Sequence, residues 1–181
     1  MISDWDTLER ARRGHEEAWQ ELVKNHYSRL HAMALLITKS SDAADDVTQE
    51  SFARLLRADF SHKDGSVSGW LGTTVWRLAI RERSRQTKLQ GLDDVDWPDE
   101  SKSPLANLIQ SERLRVIAEA ICQLSVEHRD CMVLRFYGGH SYEEISTLMK
   151  VPLGTVKSRI FNAVKNCREI LHVKGVLDEC I

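Results

Sequence analysis

Proline is scarce in this chain, at three of 181 residues, and two of the three, Pro98 and Pro104, fall in one short stretch. No run approaches the ~18 apolar residues that mark a membrane span, and the amino-terminal MISDWDTLERARRG is charged where a secretory leader would be apolar. The four cysteines, Cys122, Cys131, Cys167 and Cys180, include no CxxC pair, so neither a zinc site nor a dithiol redox motif is indicated. That usage fits a reducing compartment, and a cytoplasmic protein without membrane insertion is expected. There is no Walker A loop and no GxGxxG. His15-Glu16 opens like a zinc-protease helix, but Trp19 stands where the second histidine would be. His26 and His31 are poorly spaced for a shared metal. No cofactor, metal or catalytic constellation is expected, and the chain reads as a non-enzyme. A net charge of −2 and a pI of about 6.4 exclude a uniformly basic nucleic-acid binder, leaving local patches.

What is present is helical periodicity, and the expected fold class is all-α. Four helices are predicted first: about 5–13, ended by Gly14; about 16–37; a third starting at an N-cap, Ser41, and running to about 58; and about 67–88. The stretch LQGLDDVDWPDESKSP, Leu89 to Pro104, breaks the pattern and holds five acidic residues between Asp93 and Glu100. It reads as a flexible acidic linker, a solvated tether. The expected organisation is two small helical domains, 1–88 and 105–181, joined by 89–104. The second half predicts a helix over about 105–123, one after a Ser125 cap, one after Ser141 and a last one to about His172.

Ser141-Tyr-Glu-Glu144 is an S-x-x-E capping box. Val151-Pro-Leu-Gly154 then breaks the chain, and a longer helix follows. Two helices joined by a tight Gly-containing turn suggest a helix-turn-helix. On a wheel of the second helix, Val156, Ile160, Ala163, Val164, Cys167, Ile170 and Leu171 share a core-facing arc. Lys157, Ser158, Phe161, Asn162 and Lys165 lie opposite. Lysine can donate to guanine or phosphate, asparagine can pair with adenine, and an aromatic ring can pack on a thymine methyl. Gly154 and Thr155 sit at the helix start, where backbone N–H groups favour phosphate. Phe161 among polar residues fits a face that DNA covers, or one that packs on a neighbouring domain.

Two faces in the first half carry opposite charge. Within DAADDVTQESFARLL, Asp42 to Leu56, the residues Ala44, Val47, Phe52 and Leu55 form an apolar arc. Asp42, Asp45, Asp46, Gln49 and Glu50 form the other side, suited to a basic partner or simply to water. On the fourth helix Arg77, Arg81 and Arg85 recur every four residues and Lys88 joins them, with Thr73 and Thr74 near that face. Such a stripe neutralises phosphates and carries little sequence information.

The runs LSVEHRDCMVLRFYGGHSYEEISTLM and VPLGTVKSRIFNAVKN resemble domain four of the sigma-70 family, the initiation subunits of bacterial RNA polymerase. The run Gly154-Thr-Val-Lys-Ser-Arg159 is the specific signal. The resemblance implies that this helix reads the −35 promoter element and that Arg159 joins its DNA-binding residues. Asn162 stands where the family often has Arg. DAADDVTQESFARLL resembles the family's polymerase-binding helix, usually DAEDxxQExF, which implies that the acidic face meets the β′ clamp helices of core RNA polymerase. The resemblance places the −10 element on the fourth helix. It also implies capture of an unstacked base by the loop at about 60–68, with His62, Lys63, Asp64 and Ser66 as candidates. There the usual W-L-Y-R-I-A-x-N reads Trp70-Leu-Gly-Thr-Thr-Val-Trp-Arg77, so Gly72 is expected to weaken the helix and Arg77 replaces a common Asn.

The resemblance covers nearly the whole chain, and two domains with one linker point to the extracytoplasmic-function (ECF) group. Expected partners are core RNA polymerase, promoter DNA and an anti-sigma factor. Two other readings stay open. A stand-alone helix-turn-helix regulator would leave the acidic face without a role, and a sigma-like decoy would bind polymerase and open no promoter.

Overall fold

The computed structural model describes residues 3–60, 65–90 and 112–176, which form eight α-helices. In chain order these are α1 (Asp4–Arg12), α2 (Glu16–Thr38), α3 (Ser41–Arg57), α4 (Val67–Gln90), α5 (Glu112–Cys122), α6 (Val126–Phe136), α7 (Tyr142–Met149) and α8 (Leu153–Val173). The fold is all-α in two helical regions, α1–α4 and α5–α8. The expected helix start at 105 lies outside the described residues.

Local chemistry sets most helix ends. Ser3 and Asp6 form a capping box at the start of α1, satisfying N–H groups that the first turn leaves free. α2 ends where Lys39 turns left-handed, at φ 57°. The cap of α3 is Ser40, whose Oγ accepts from Ala43 N–H. This corrects the expected cap at Ser41 by one residue, because Ser40 is still extended while Ser41 is already helical. Arg12 donates to the carbonyls of Leu55 and Ala58, both at 2.6 Å, and so closes the carboxyl end of α3.

In the first region α2 packs on α1, α3 and α4. Leu22, Leu30, Met33, Leu55, Leu71 and Val75 are buried there. Each such side chain contributes on the order of 1.5–3 kcal/mol on burial. Trp5, Phe60 and Trp70 meet edge to face, with centroids 4.7 and 5.4 Å apart, which fixes the chain entering the 61–64 segment. In the second region α6, α7 and α8 surround Leu134, Ile145, Val156, Ile160 and Ala163.

The two regions touch along α2 and α4 on one side and α5 and α6 on the other. Gly72 lies buried in this contact. A Cβ there would fall 2.9 Å from the Gly138 carbonyl oxygen and 3.1 Å from Gly138 Cα. Gly72 was expected to weaken α4, yet α4 runs unbroken through it. Its lack of a side chain serves close approach, a use of glycine that offsets its helix cost of about 1 kcal/mol.

Candidate promoter and polymerase interfaces

The turn between α7 and α8 is built tightly. Ser141 and Glu144 form the capping box that the sequence predicts. Lys150 closes α7 in the left-handed region at φ 56°. Ser146 Oγ donates to the Val151 carbonyl at 2.6 Å, and Val151 N–H donates to the Ser146 carbonyl. Pro152 then caps α8 without a side-chain hydrogen bond. Together these bonds fix how α8 leaves α7.

On α8, Val156, Ile160, Ala163 and Cys167 are buried, and Val164, Ile170 and Leu171 are partly so. Lys157, Ser158, Asn162 and Lys165 are exposed, as is Gly154, while Thr155 is half-buried. Phe161 is 70% exposed. Among the described residues it does not join the buried core. Ser158 Oγ donates to its own helix at Thr155 O (3.0 Å), and Lys165 sits 3.9 Å from Glu169 in an exposed pair. Arg159 differs from the rest of this set. It is half-buried and turned toward α6, where its guanidinium opposes the upward push of burial on the Cys131 thiol.

The acidic arc of α3 is not uniformly free. Asp42, Asp46, Gln49 and Glu50 are exposed. Asp45 is half-buried, and its Oδ1 accepts from Tyr27 Oη at 3.0 Å and lies 3.1 Å from His31 Nε2. Glu50 pairs with Arg54 at 2.7 Å along the helix. Part of the arc is therefore engaged within the fold, because α2 and the next turn of α3 each supply partners.

On α4, Arg77, Arg81, Arg85 and Lys88 are exposed, and Thr73 and Thr74 are half-buried. Glu82 interrupts the stripe. Arg85 donates to it at 3.0 and 2.8 Å and holds its carboxyl below the usual range, despite partial burial that opposes this. Ser66 is exposed, and its Oγ accepts from Gly69 N–H at 3.0 Å, acting as a cap. His62, Lys63 and Asp64 lie outside the described residues.

Sequence reasoning missed the residues that join the two regions. Arg83 makes two hydrogen bonds of 2.9 Å to Asp130, whose side chain is only 5% exposed. Arg29 donates to the Tyr137 carbonyl and, at 2.9 Å, to Ser68 Oγ. Thr73 Oγ1 lies 3.4 Å from His140 Nε2. Burial lowers the pKa of Arg29. The one signal available in the sequence was the glycine at 72, out of place in a helix. No group of three or more potential metal ligands occurs among the described residues, and no described helix is long and apolar enough to cross a membrane.

Comparison with known proteins gives these surfaces a context. Residues 22–89 match the model of sigma-70 region 2, and residues 114–167 match sigma-70 region 4. The chain belongs to the sigma-70 family. It is 30% identical over 182 aligned residues to the ECF RNA polymerase sigma factor SigK of Mycobacterium tuberculosis, covering 96% of each chain. It is 33% identical over 160 residues to the ECF sigma factor SigE of Mycolicibacterium smegmatis, covering 85% of this chain and 62% of that one. The fold resembles CnrH, solved in complex with the cytosolic domain of CnrY, at a TM-score of 0.60 and 22% identity over 95% of this chain and 99% of CnrH. It also resembles RpoE of Bartonella quintana, solved with the anti-sigma factor NepR, at a TM-score of 0.57 and 22% identity over 85% of this chain and 96% of RpoE. The chain is thus an ECF sigma factor. It acts in promoter-directed transcription with core RNA polymerase and is not an enzyme.

Proposed function

We propose that this sigma factor binds the β′ clamp helices of core RNA polymerase through the exposed acids of α3. It reads the −35 element with the outer face of α8 and engages the −10 element with α4 and the loop before it. The carrying observation is the outer face of α8, where an exposed phenyl ring sits between Lys157 and Asn162 at the end of a braced helix-turn-helix. An apolar ring left 70% exposed among the described residues suits a face that a thymine methyl covers. On α3 the polymerase-facing residues are Asp42, Asp46, Gln49 and Glu50, with Asp45 shared between that face and the fold. The working units are residues 1–88 and 105–181 joined by 89–104, and the place of action is the cytoplasm.

Holding both units on one polymerase raises the effective concentration of each at its own DNA element. An anti-sigma factor is a further proposed partner. The relatives CnrH and RpoE were solved in complexes. Exposed Leu114 and Phe136, at 55% and 58%, rim an apolar cleft against α2 that offers such a partner a foothold.

The test is run-off transcription from a pool of promoter fragments with purified core polymerase. Transcripts should depend on the protein and should vanish with Lys157→Ala and with Asp42→Lys/Asp46→Lys. Stable polymerase binding without transcripts would instead indicate a decoy, and loss of both would indicate a stand-alone regulator.

A further inference from the structure

Both bonds that α2 makes to Asp45 end on the same oxygen. Tyr27 Oη donates to Oδ1 at 3.0 Å, and His31 Nε2, 3.1 Å away, donates to it when it carries the ring proton. Among the described residues no hydrogen bond reaches Oδ2, and the side chain is 45% exposed. The carboxylate is thus anchored to the fold by one oxygen, and the other is left for a partner. On the helical wheel Asp45 lies at the α2 edge of the acidic arc, beside Gln49 and Asp42.

The two donors are themselves held in place. Tyr27 stacks on His31, with centroids 5.7 Å apart and planes 12° apart, and also on Phe52 of α3, at 6.4 Å and 13°. Trp19 meets Phe52 edge to face at 5.7 Å. Four rings from α2 and α3 therefore fix where the hydroxyl and the imidazole point. His31 is buried and needs a hydrogen-bond partner. Tyr27 is half-buried, and a phenol at such a position finds water readily, so burial alone does not require its bond to Asp45. The effect of that second bond falls on the carboxylate. An exposed ion pair gains little, because two side chains must be ordered to form it. A carboxylate that is already fixed leaves only the partner's side chain to order.

We propose that Tyr27 and His31 are positioning residues for polymerase binding: together they hold Asp45 by Oδ1 so that Oδ2 accepts from a lysine or arginine of the clamp. The proposal rests on the assignment of the α3 face to core polymerase. Asp42 and Asp46 are exposed and, among the described residues, make no side-chain hydrogen bond. They supply charge. Asp45 supplies a fixed direction, and so sets the register in which the clamp meets α3.

The experiment measures binding of the full chain to purified core RNA polymerase by fluorescence anisotropy. Tyr27→Phe keeps the ring stack and removes one donor. His31→Leu removes the other, and His31→Gln keeps a donor near the place of Nε2. Tyr27→Phe should weaken binding about threefold, and Tyr27→Phe/His31→Leu about tenfold, while His31→Gln stays within about twofold of the wild type. Circular dichroism and thermal melts report folding separately. The deciding comparison is made in an Asp45→Ala background, where the α2 variants should cause no further loss of affinity. A similar loss with and without the Asp45 carboxylate would trace the effect to a displaced α3 and overturn the proposal. Asp42→Lys/Asp46→Lys is the control for the assignment of α3. If that reversal leaves affinity unchanged, the assignment falls and the proposal with it. If the reversal abolishes binding while Tyr27→Phe/His31→Leu binds as the wild type does, only the positioning falls.

Discussion

Asp45 sits in the acidic arc of α3, yet its Oδ1 serves both Tyr27 and the buried His31. Its removal leaves a buried ring nitrogen without that partner. Asp45→Ala is therefore expected to cost about 1–2 kcal/mol in urea unfolding, at the low end because the carboxylate is half exposed. Asp46→Ala, on the exposed side, should stay within about 0.5 kcal/mol and lower polymerase affinity instead. Equal losses of stability would contradict this division. The sequence placed both aspartates on one arc correctly, since helical angle depends on spacing alone. It could not show that Tyr27 and His31 from α2 reach over to only one of them. Two further histidines carry a pH dependence. Burial, with help from Arg29, lowers the pKa of His26 against the raising effect of Asp4. Burial does the same to His140, with Arg29 assisting and Glu144 opposing. The unfolded chain takes up protons near the ordinary value of 6.5 while these rings resist. The stability they contribute is thus full above that value and is lost as pH falls below it toward the folded-state values. Thermal melts from about pH 7.5 to about 5.5 should show a falling Tm, and a shallower fall in His26→Gln and His140→Gln. An unchanged slope in both variants would exclude these rings as the source.

Among the elements, α7 and α8 were the most legible. Their signals are local: a serine and a glutamate three residues apart, a proline at the turn, and an apolar arc on one face. Ser141→Ala should cost about 1 kcal/mol, because it takes the Oγ acceptor from the Glu144 N–H, while the reciprocal bond from Ser141 N–H to the Glu144 carboxylate remains. A Tm equal to wild type would show that the turn bonds at Ser146 alone hold the helix pair. Phe161→Ala separates reading from folding. The ring is largely exposed, so the melting curve should move by no more than about 0.5 kcal/mol while −35-dependent transcript yield drops. A large loss of stability would mean that the ring is part of the core. Arg159 joined the DNA-binding set through the family resemblance and not through the helical wheel, and spacing alone does not show that its long side chain folds back toward Cys131.

At the scale of the whole molecule the sequence was least informative. Arg83 and Asp130, or Gly72 and Gly138, are far apart in the chain, and no periodicity links them. A glycine within α4 reads from sequence as a weakness, and only the approach of a second backbone gives it a purpose. Arg29 joins three elements: its own α2, Ser68 at the start of α4, and the carbonyl of Tyr137 after α6. Arg29→Ala should therefore speed hydrogen exchange in both the 66–74 and 138–144 segments, because the two are opened by one event. The amides of α3 should exchange as in the wild type. Faster exchange in only one segment would show that Arg29 braces its own half alone.

The facing glycines also have a meaning for variation. Because a side chain at position 72 meets rigid backbone, its volume sets how far the two halves must stay apart. Alanine, serine and valine at this position form a graded series in the spacing of the two halves, so one residue without a side chain sets a distance that no bond in either half controls.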